Sequence, residues 1–361
     1  MTYRIAVIPG DGIGQEVTAE ALRVLREVAA LDRGITFEFE EFPWGTEHFL
    51  AAGEMMPKDG LQILASFDAI QLGAVGDPRV PDHLTLWGLL LPIRQGFGQY
   101  VNLRPVRLLP GAPTVLAGRG PQDIDMVFLR ENTEGEYSGK GDFLFSGDPQ
   151  REMALQTSVF SRVGCERIIR YGFELARRTR RSLTSVSKGN AMNYGGVFWD
   201  EVFAQVAVQY PDVRTQSLLV DAAAMLLVRD PSRFEVVVTS NLYGDILTDL
   251  GAGIAGGMGL AASANIDPTR RHPSLFEPVH GSAPDIAGKG IANPMAAIWS
   301  AALLLDHLGH GKWAERVVEA IERTLSAGVT SPDLGGSATT EEVGRLVARE
   351  LGATSGKRVQ A

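Results

Sequence analysis

The sequence predicts an α/β fold built on a large sheet that is mostly parallel, and three observations carry that expectation. Short apolar runs of strand length end repeatedly in glycine turns. Segments with helical apolar spacing separate several of them. The chain has 361 residues, 45% apolar and 21% charged, which is ordinary globular composition and more length than one hydrophobic core usually fills.

Taken in order, residues 4–8 form a β-rich run ending in Pro9 and Gly10, and residues 15–30 space Val17, Ala21, Leu25 and Val28 for one face of a helix. A short helical piece over 60–65 precedes 67–75, FDAIQLGAV, which reads as a buried strand entering a glycine turn. Residues 124–130, 182–187 and 234–240 read as further strands, with helices over 162–179, 196–209 and 313–327. An apolar stretch over 296–305, beginning after Asn293 and Pro294, has the length of a helix and is too short to span a bilayer. There is no internal repeat and no Pro/Ser-rich linker, and the only low-complexity piece is a polar tail over 353–361. Two domains, if present, therefore share strands or cross over by tight connections.

A net charge of −9 gives no electrostatic footprint for nucleic acid or an anionic membrane, so an anionic substrate needs a local basic cluster. Cys165 is the only cysteine, which rules out an intramolecular disulfide and fits a reducing compartment; within the 162–176 helix it reads as a small packing residue. The first residues, MTYRIAVIPGDG, lack a charged leader with a long apolar core, so a soluble cytoplasmic protein is expected.

The stretch VTSNLYGDILTDLGAG (238–253) places Asp245 and Asp249 four residues apart, on one face of a helix, where like charges repel. Joined by Asp221, which stands between apolar residues in LLVDAAAM, they would form an oxygen-rich site suited to Mg²⁺ or Mn²⁺. Spacing alone fits a solvated acidic pair equally well. Gly251, Gly253 and Gly256 spell GxGxxG, but the preceding strand ends near Asn241, so close helix packing or a hinge is expected and not a dinucleotide loop. The earlier GDGIG (10–14) follows a strand with the wrong spacing for that loop. Arg94, Arg104 and Arg130 stand at the edges of apolar or turn segments; if they converge, their guanidinium forks would hold a dicarboxylate, and otherwise they are scattered surface charges. Lys188, at the end of the 182–187 strand, and Tyr137 would serve as a proton acceptor and donor if partly buried. Read singly, each fits a loop lysine and a packing tyrosine.

Together the motifs resemble one family. GDGIG, NLRP, RENTEGEYSG, the strand-end KGN, NLYGDILTDL and EPVHGSAPDIAGKGIANP (277–294) occur in the order typical of the β-decarboxylating dehydrogenases, which include isocitrate and isopropylmalate dehydrogenases. The resemblance spans essentially the whole chain. It implies the isopropylmalate dehydrogenase-like fold, not a Rossmann fold, with two α/β domains sharing a large mixed sheet: residues 1–102 with 259–361 as one domain, and 103–258 as an inserted domain carrying a dimerisation arm. It implies that Asp245 and Asp249 ligate the metal with Asp221 supplied by a partner subunit, in a homodimer with shared active sites. Arg94, Arg104 and Arg130 would clamp the substrate carboxylates, and Tyr137 and a Lys188 supplied, like Asp221, by the partner subunit would transfer protons. Ala74, Glu277, His280, Gly281, Ser282, Ala283, Asp285, Ile286 and Asn293 would embrace the dinucleotide, with Asp285 accepting ribose hydroxyls and so selecting NAD over NADP. The cofactors implied are NAD and Mg²⁺ or Mn²⁺, with a monovalent cation such as K⁺ as a further candidate. The reaction implied is oxidation of a 2-hydroxy acid, hydride passing to NAD and the hydroxyl proton to Lys188, then loss of the β-carboxylate as CO₂ and protonation of the remaining carbon by Tyr137.

Residues 85–94, TLWGLLLPIR, form the segment that would set specificity. Trp87 stands where isopropylmalate enzymes carry an acidic residue, Leu90 and Leu91 follow, and no hydroxyl or cation is offered for a third carboxylate. A tryptophan here would narrow the pocket toward small substituents, and DHLTLWG with GQYVNLRPVRL looks most like the branch acting on D-malate and tartrate isomers. 3-Isopropylmalate is the alternative substrate. A non-catalytic regulatory subunit is disfavoured because Tyr137, Lys188, Asp221, Asp245 and Asp249 are all present. Pro92 is expected to bend the specificity helix, Asn193 and Tyr194 have no assigned role, and His48, His83, His272, His307 and His310 lack ligand spacing.

Overall fold

The computed structural model describes residues 1–353; most of the polar tail lies outside the described residues. Ten strands form one mixed sheet, and two more form a separate antiparallel ribbon. In chain order the strands are β1 (Thr2–Gly10), β2 (Thr36–Glu41), β3 (Ala69–Ala74), β4 (Val101–Arg107), β5 (Asp125–Glu131), β6 (Gly135–Leu144), β7 (Met153–Val159), β8 (Leu183–Ser187), β9 (Thr215–Leu219), β10 (Val236–Thr239), β11 (Ala262–Ile266) and β12 (Ser274–Pro278). The sheet order is β2-β1-β3-β12-β11-β4-β5-β10-β8-β9, and β6 pairs with β7.

Parallel blocks occupy both ends of the sheet, as the alternation of strands and helices predicts. The middle is antiparallel, because β11 pairs against both β12 and β4, and β4 against β5. Of these central strands the sequence pattern shows β5 but not β4, β11 or β12. β4 carries Asn102, Arg104, Pro105 and Arg107, and β11 and β12 are five residues each, so none reads as an apolar run.

Alternation along the strands feeds cores on opposite faces. Ile5 and Val7 of β1 pack under the helices Gly14–Leu31, Met295–His307, Gly311–Ser326 and Thr340–Gly352, while Ala6 and Ile8 face the cluster around Trp44, Leu89 and Ile93. Val236 and Val238 of β10 join the core of helices Arg162–Thr179 and Gly195–Ala207; Val237 joins the core of helices Val220–Arg229 and Asn241–Ile254. Cys165 is buried in the former core. Gly251 packs its helix against Val106 of β4, Gly253 lies in the same helix with open space beside it, and Gly256 follows the helix end, so the GxGxxG string does not form a strand-to-helix turn. No helix among the described residues is long and apolar enough to cross a membrane.

The segment over 82–96 is one continuous helical run with an irregular middle: α-helical over Asp82–Thr85, π-helical over Leu86–Leu90, and α-helical again over Leu91–Gly96 with Pro92 in its first turn. Proline cannot donate the amide that an α-helix would need there, and a single wider turn accommodates it.

Candidate active site

The three arginines converge. Arg94 comes from the helix after the π-turn, Arg104 from β4 and Arg130 from β5, and all three are at least 95% buried. They line one cleft of about 200 Å³ with Tyr137, Asp245, Glu277, Leu86, Leu90 and Leu91. Register brings β4 and β5 together: Asn102 lies opposite Arg130, so Arg104, two residues on, projects from the same face. The third element is the helix Asn241–Ile254, which starts directly after β10. Its entry is fixed by Glu136, whose carboxylate accepts from Ser240 Oγ at 2.9 Å and from the Leu242 amide at 3.1 Å. Gly244 lets this helix close on Arg130, since a Cβ there would meet the arginine's own Cβ at 2.6 Å.

Asp245 is the hub. Its Oδ1 accepts from Arg130 Nη1 and from Arg104 Nη1, the latter at 3.1 Å, and its Oδ2 accepts from the Tyr137 hydroxyl at 3.2 Å. Arg130 Nε donates to Asn241 Oδ1 at 2.8 Å, and Arg104 Nη1 also donates to Thr248 Oγ1 at 2.6 Å. On the far wall Arg94 Nη2 donates to Glu277 Oε1 at 2.7 Å. The Nε atoms of Arg94 and Arg104 are buried without a partner.

These charges tune one another. Burial raises the Asp245 carboxyl, but Arg130, Arg104 and Arg94 outweigh it and hold the group below the usual carboxylate range. Asp249, one turn on, is raised by partial burial and by the Asp245 charge. Burial and then Asp245 push the Tyr137 phenol upward, so it is a protonated donor at neutral pH. Burial and Arg104 lower Arg130, but guanidinium is basic enough to stay charged.

The cleft continues over the carboxyl ends of β3 and β12, past Ala74 and Val75 to Val279, His280 and Gly281. His280 Nε2 is buried without a partner, and burial lowers the ring's pKa. The loop beyond is tied to the N-terminal turn by the Ile13 amide donating to the Ser282 carbonyl at 2.8 Å, and Ala283 takes a left-handed backbone with φ +40°. Asp285 is exposed, Ile286 packs against the adjoining core, and Asn293 Nδ2 donates to Asp333 Oδ2 at 3.1 Å.

Lys188 and Asp221, expected to serve a partner subunit's site, lie away from this chain's own cleft. Lys188 and Asp221 form an ion pair at the start of the helix Val220–Arg229, and the Lys188 hydrogen bond holds the Asp221 carboxyl low. Neither lines the arginine cleft, and among the described residues no three His, Cys, Asp or Glu side chains gather as metal ligands. Trp87, by contrast, does not line the cleft. Its indole lies over Gly139 in a neighbouring groove that shares Tyr137, and Leu86 takes the place in the cleft that Trp87 was expected to fill. The π-turn is the cause: in a straight α-helix Trp87 would sit about 20° from Arg94, and one extra residue in a turn rotates the face by about 100°. Leu86, Glu136, Asn241 and Thr248 were missed as site residues. Only Asn241 had a visible signal, as a capping-type residue between a strand and a helix.

Residues 4–347 match the isocitrate/isopropylmalate dehydrogenase family. A probable tartrate dehydrogenase/decarboxylase of Agrobacterium vitis is 49% identical over 350 residues, 97% of this chain and 98% of that one. The D-malate dehydrogenase (decarboxylating) of Escherichia coli strain K12 is 50% identical over 359 residues, covering 96% and 98%. The crystal structure of isocitrate dehydrogenase from Methylococcus capsulatus superposes with a TM-score of 0.88 at 34% identity, covering 97% and 99%.

Proposed function

We propose, from the premise that the chain belongs to the isocitrate/isopropylmalate dehydrogenase family and is an oxidoreductase acting on a CH–OH group, that it oxidises and decarboxylates a small 2-hydroxy diacid, D-malate or a tartrate isomer. The convergence of Arg94, Arg104 and Arg130 on one small cleft carries this reading. Buried guanidinium forks suit two carboxylates, and three of them at one end of the cleft suit a short diacid.

A divalent cation fits the donor set. Asp245 and Asp249 offer only oxygen, face the cleft side of one helix and repel each other, which is the environment a hard cation relieves. Such an ion would supply Lewis acidity toward the substrate hydroxyl. NAD fits the groove over β3 and β12, where the partnerless His280 nitrogen and the open space at Gly281 leave room for a ligand, and it would supply the hydride acceptor. Within that frame the chain's own groups bind and move protons. The arginines hold the carboxylates, and Arg104 and Arg130 become available as Asp245 turns from them. Tyr137 gives its phenolic proton to the carbon that loses CO₂. Lys188 and Asp221, remote from this cleft, belong to the site of a second copy, as in a homodimer with shared active sites.

A second substrate, 3-isopropylmalate, is favoured by the apolar wall of Leu86, Leu90 and Leu91. One kinetic panel with Mn²⁺ and NAD decides: D-malate or a tartrate isomer is expected to give the highest kcat/KM, and a clear preference for 3-isopropylmalate would sink the leading reading.

A further inference from the structure

The middle of the sheet holds a cluster of polar side chains that the proposed reaction does not use. Asn102 of β4, Ser263 and Asn265 of β11, and Asn132 just after β5 are each no more than 1% exposed. Asn265 lies directly opposite Asn102, and Ser263 opposite Glu277, so these groups share one face of the sheet with Arg104 and Arg130. Burying amides is unfavourable unless they are bonded, and apolar side chains would pack this position more simply.

Asn265 is where the cluster meets the cleft. Its Oδ1 accepts from Asn102 Nδ2 at 3.0 Å and from Asn132 Nδ2 at 2.9 Å. Its Nδ2 donates to Glu277 Oε1 at 2.7 Å, the same oxygen that accepts Arg94 Nη2 at 2.7 Å. That oxygen is thereby held between an amide fixed from β4 and β5 and a guanidinium that lines the cleft. Glu277 has rotatable bonds of its own and needs such a brace to keep one geometry.

We propose that Asn265 is a positioning residue for substrate binding: it fixes the Glu277 carboxylate and, through it, the orientation in which Arg94 meets a substrate carboxylate. This rests on the reading of Arg94 as a carboxylate clamp. The charged groups facing the position are Glu277 and Arg94, with Arg104 the next guanidinium along the cleft.

The test is Asn265→Asp, assayed with D-malate against the unmodified enzyme from pH 5.5 to 8.5. An aspartate keeps the acceptor for Asn102 and Asn132. When ionised it cannot donate to Glu277, and it sets a second carboxylate beside it; when protonated it regains a donor. The expected result is a KM raised about tenfold at pH 8 with kcat much less changed, the KM ratio of variant to unmodified enzyme shrinking as pH falls. A merely structural residue would move both constants without that trend. Asn265→Ser, which removes the amide without adding charge, should raise KM with a ratio that does not vary with pH, and it serves if the aspartate variant does not fold. A KM ratio near one in both variants, with Arg94→Lys raising KM strongly, overturns the proposal alone. If Arg94→Lys also leaves KM unchanged, the clamp reading falls and this proposal with it.

Discussion

Asp245 and Asp249 stand one turn apart on the same helix, yet their carboxyls shift in opposite directions. Asp245 is drawn down by Arg130 and Arg104 despite its burial, whereas Asp249 is pushed up by burial and by its neighbour. The nearer aspartate is the counter-ion of the arginine pair, and the farther one bears the remaining repulsion.

Their substitutions should therefore differ. Removing one partner of a buried ion pair typically costs about 3–5 kcal/mol; with the Asp245 side chain 35% exposed, Asp245→Asn is expected to destabilise by roughly 2 kcal/mol, because it leaves Arg104 and Arg130 without their anion. Asp249→Asn should raise the stability of the metal-free protein slightly, by roughly 0.3 kcal/mol, as relief of a like-charge helix pair does. Thermal melts with and without Mn²⁺ read both: each variant is expected to lose the Mn²⁺-dependent rise in Tm. Survival of that rise together with turnover in Asp245→Asn would remove the metal assignment.

The π-turn leads to a second contrast. Leu86 lines the cleft and Trp87 covers Gly139, so Leu86→Ala should shift kcat/KM toward 3-isopropylmalate relative to D-malate by at least about tenfold, the lower end of what one methylene is worth in an apolar pocket. Trp87→Phe should leave that ratio within about threefold. A larger effect from Trp87 would restore it as the pocket wall and contradict the observed register.

What the sequence revealed and what it hid follow from the range of each signal. Local patterns carried β1, β3, β5, β8 and β10, most helices and the aspartate pair, because these depend on spacing within one element; the edge strands β2 and β9, exposed or half-buried along their length, gave no apolar run. The convergence of three arginines rested on motif order, since their meeting is set by register between strands far apart in the chain. β4 and β11 were hidden because they turn polar side chains such as Asn102, Arg104 and Asn265 toward the cleft and so break the apolar run. Trp87 was placed in the pocket by motif position alone, which does not register the π-turn that sets Leu86 there, although Pro92 marked an irregularity in this segment.

Cys165 offers a check on the packing of the 162–179 helix. Burial, reinforced by Glu134 and Glu131, pushes its thiol up to about 12, so thiolate is scarce at any working pH. Ellman's reagent at pH 8 is expected to find no reactive thiol in the native protein and one per chain after denaturation in guanidinium; rapid native labelling would mean that this helix opens readily.

The pH dependence of stability should carry the mark of His307. Its ring stacks at an angle on Phe276, 5.5 Å between centroids, and burial, with Arg270 adding to it, lowers its pKa to about 4. A histidine whose folded pKa lies below its unfolded value near 6.5 resists the proton that the unfolded chain accepts. Its contribution is complete above about pH 6.5 and is lost as pH falls toward and through 4, which amounts to roughly 2 kcal/mol at pH 5. Replacing His307 with Gln removes the titration, so urea unfolding at pH 7.5 and pH 5 should show a smaller acid loss in His307→Gln than in the unmodified protein. Equal losses in the two proteins would show that His307 titrates alike in the folded and unfolded chain, against the burial that the helix Met295–His307 and β12 impose on it.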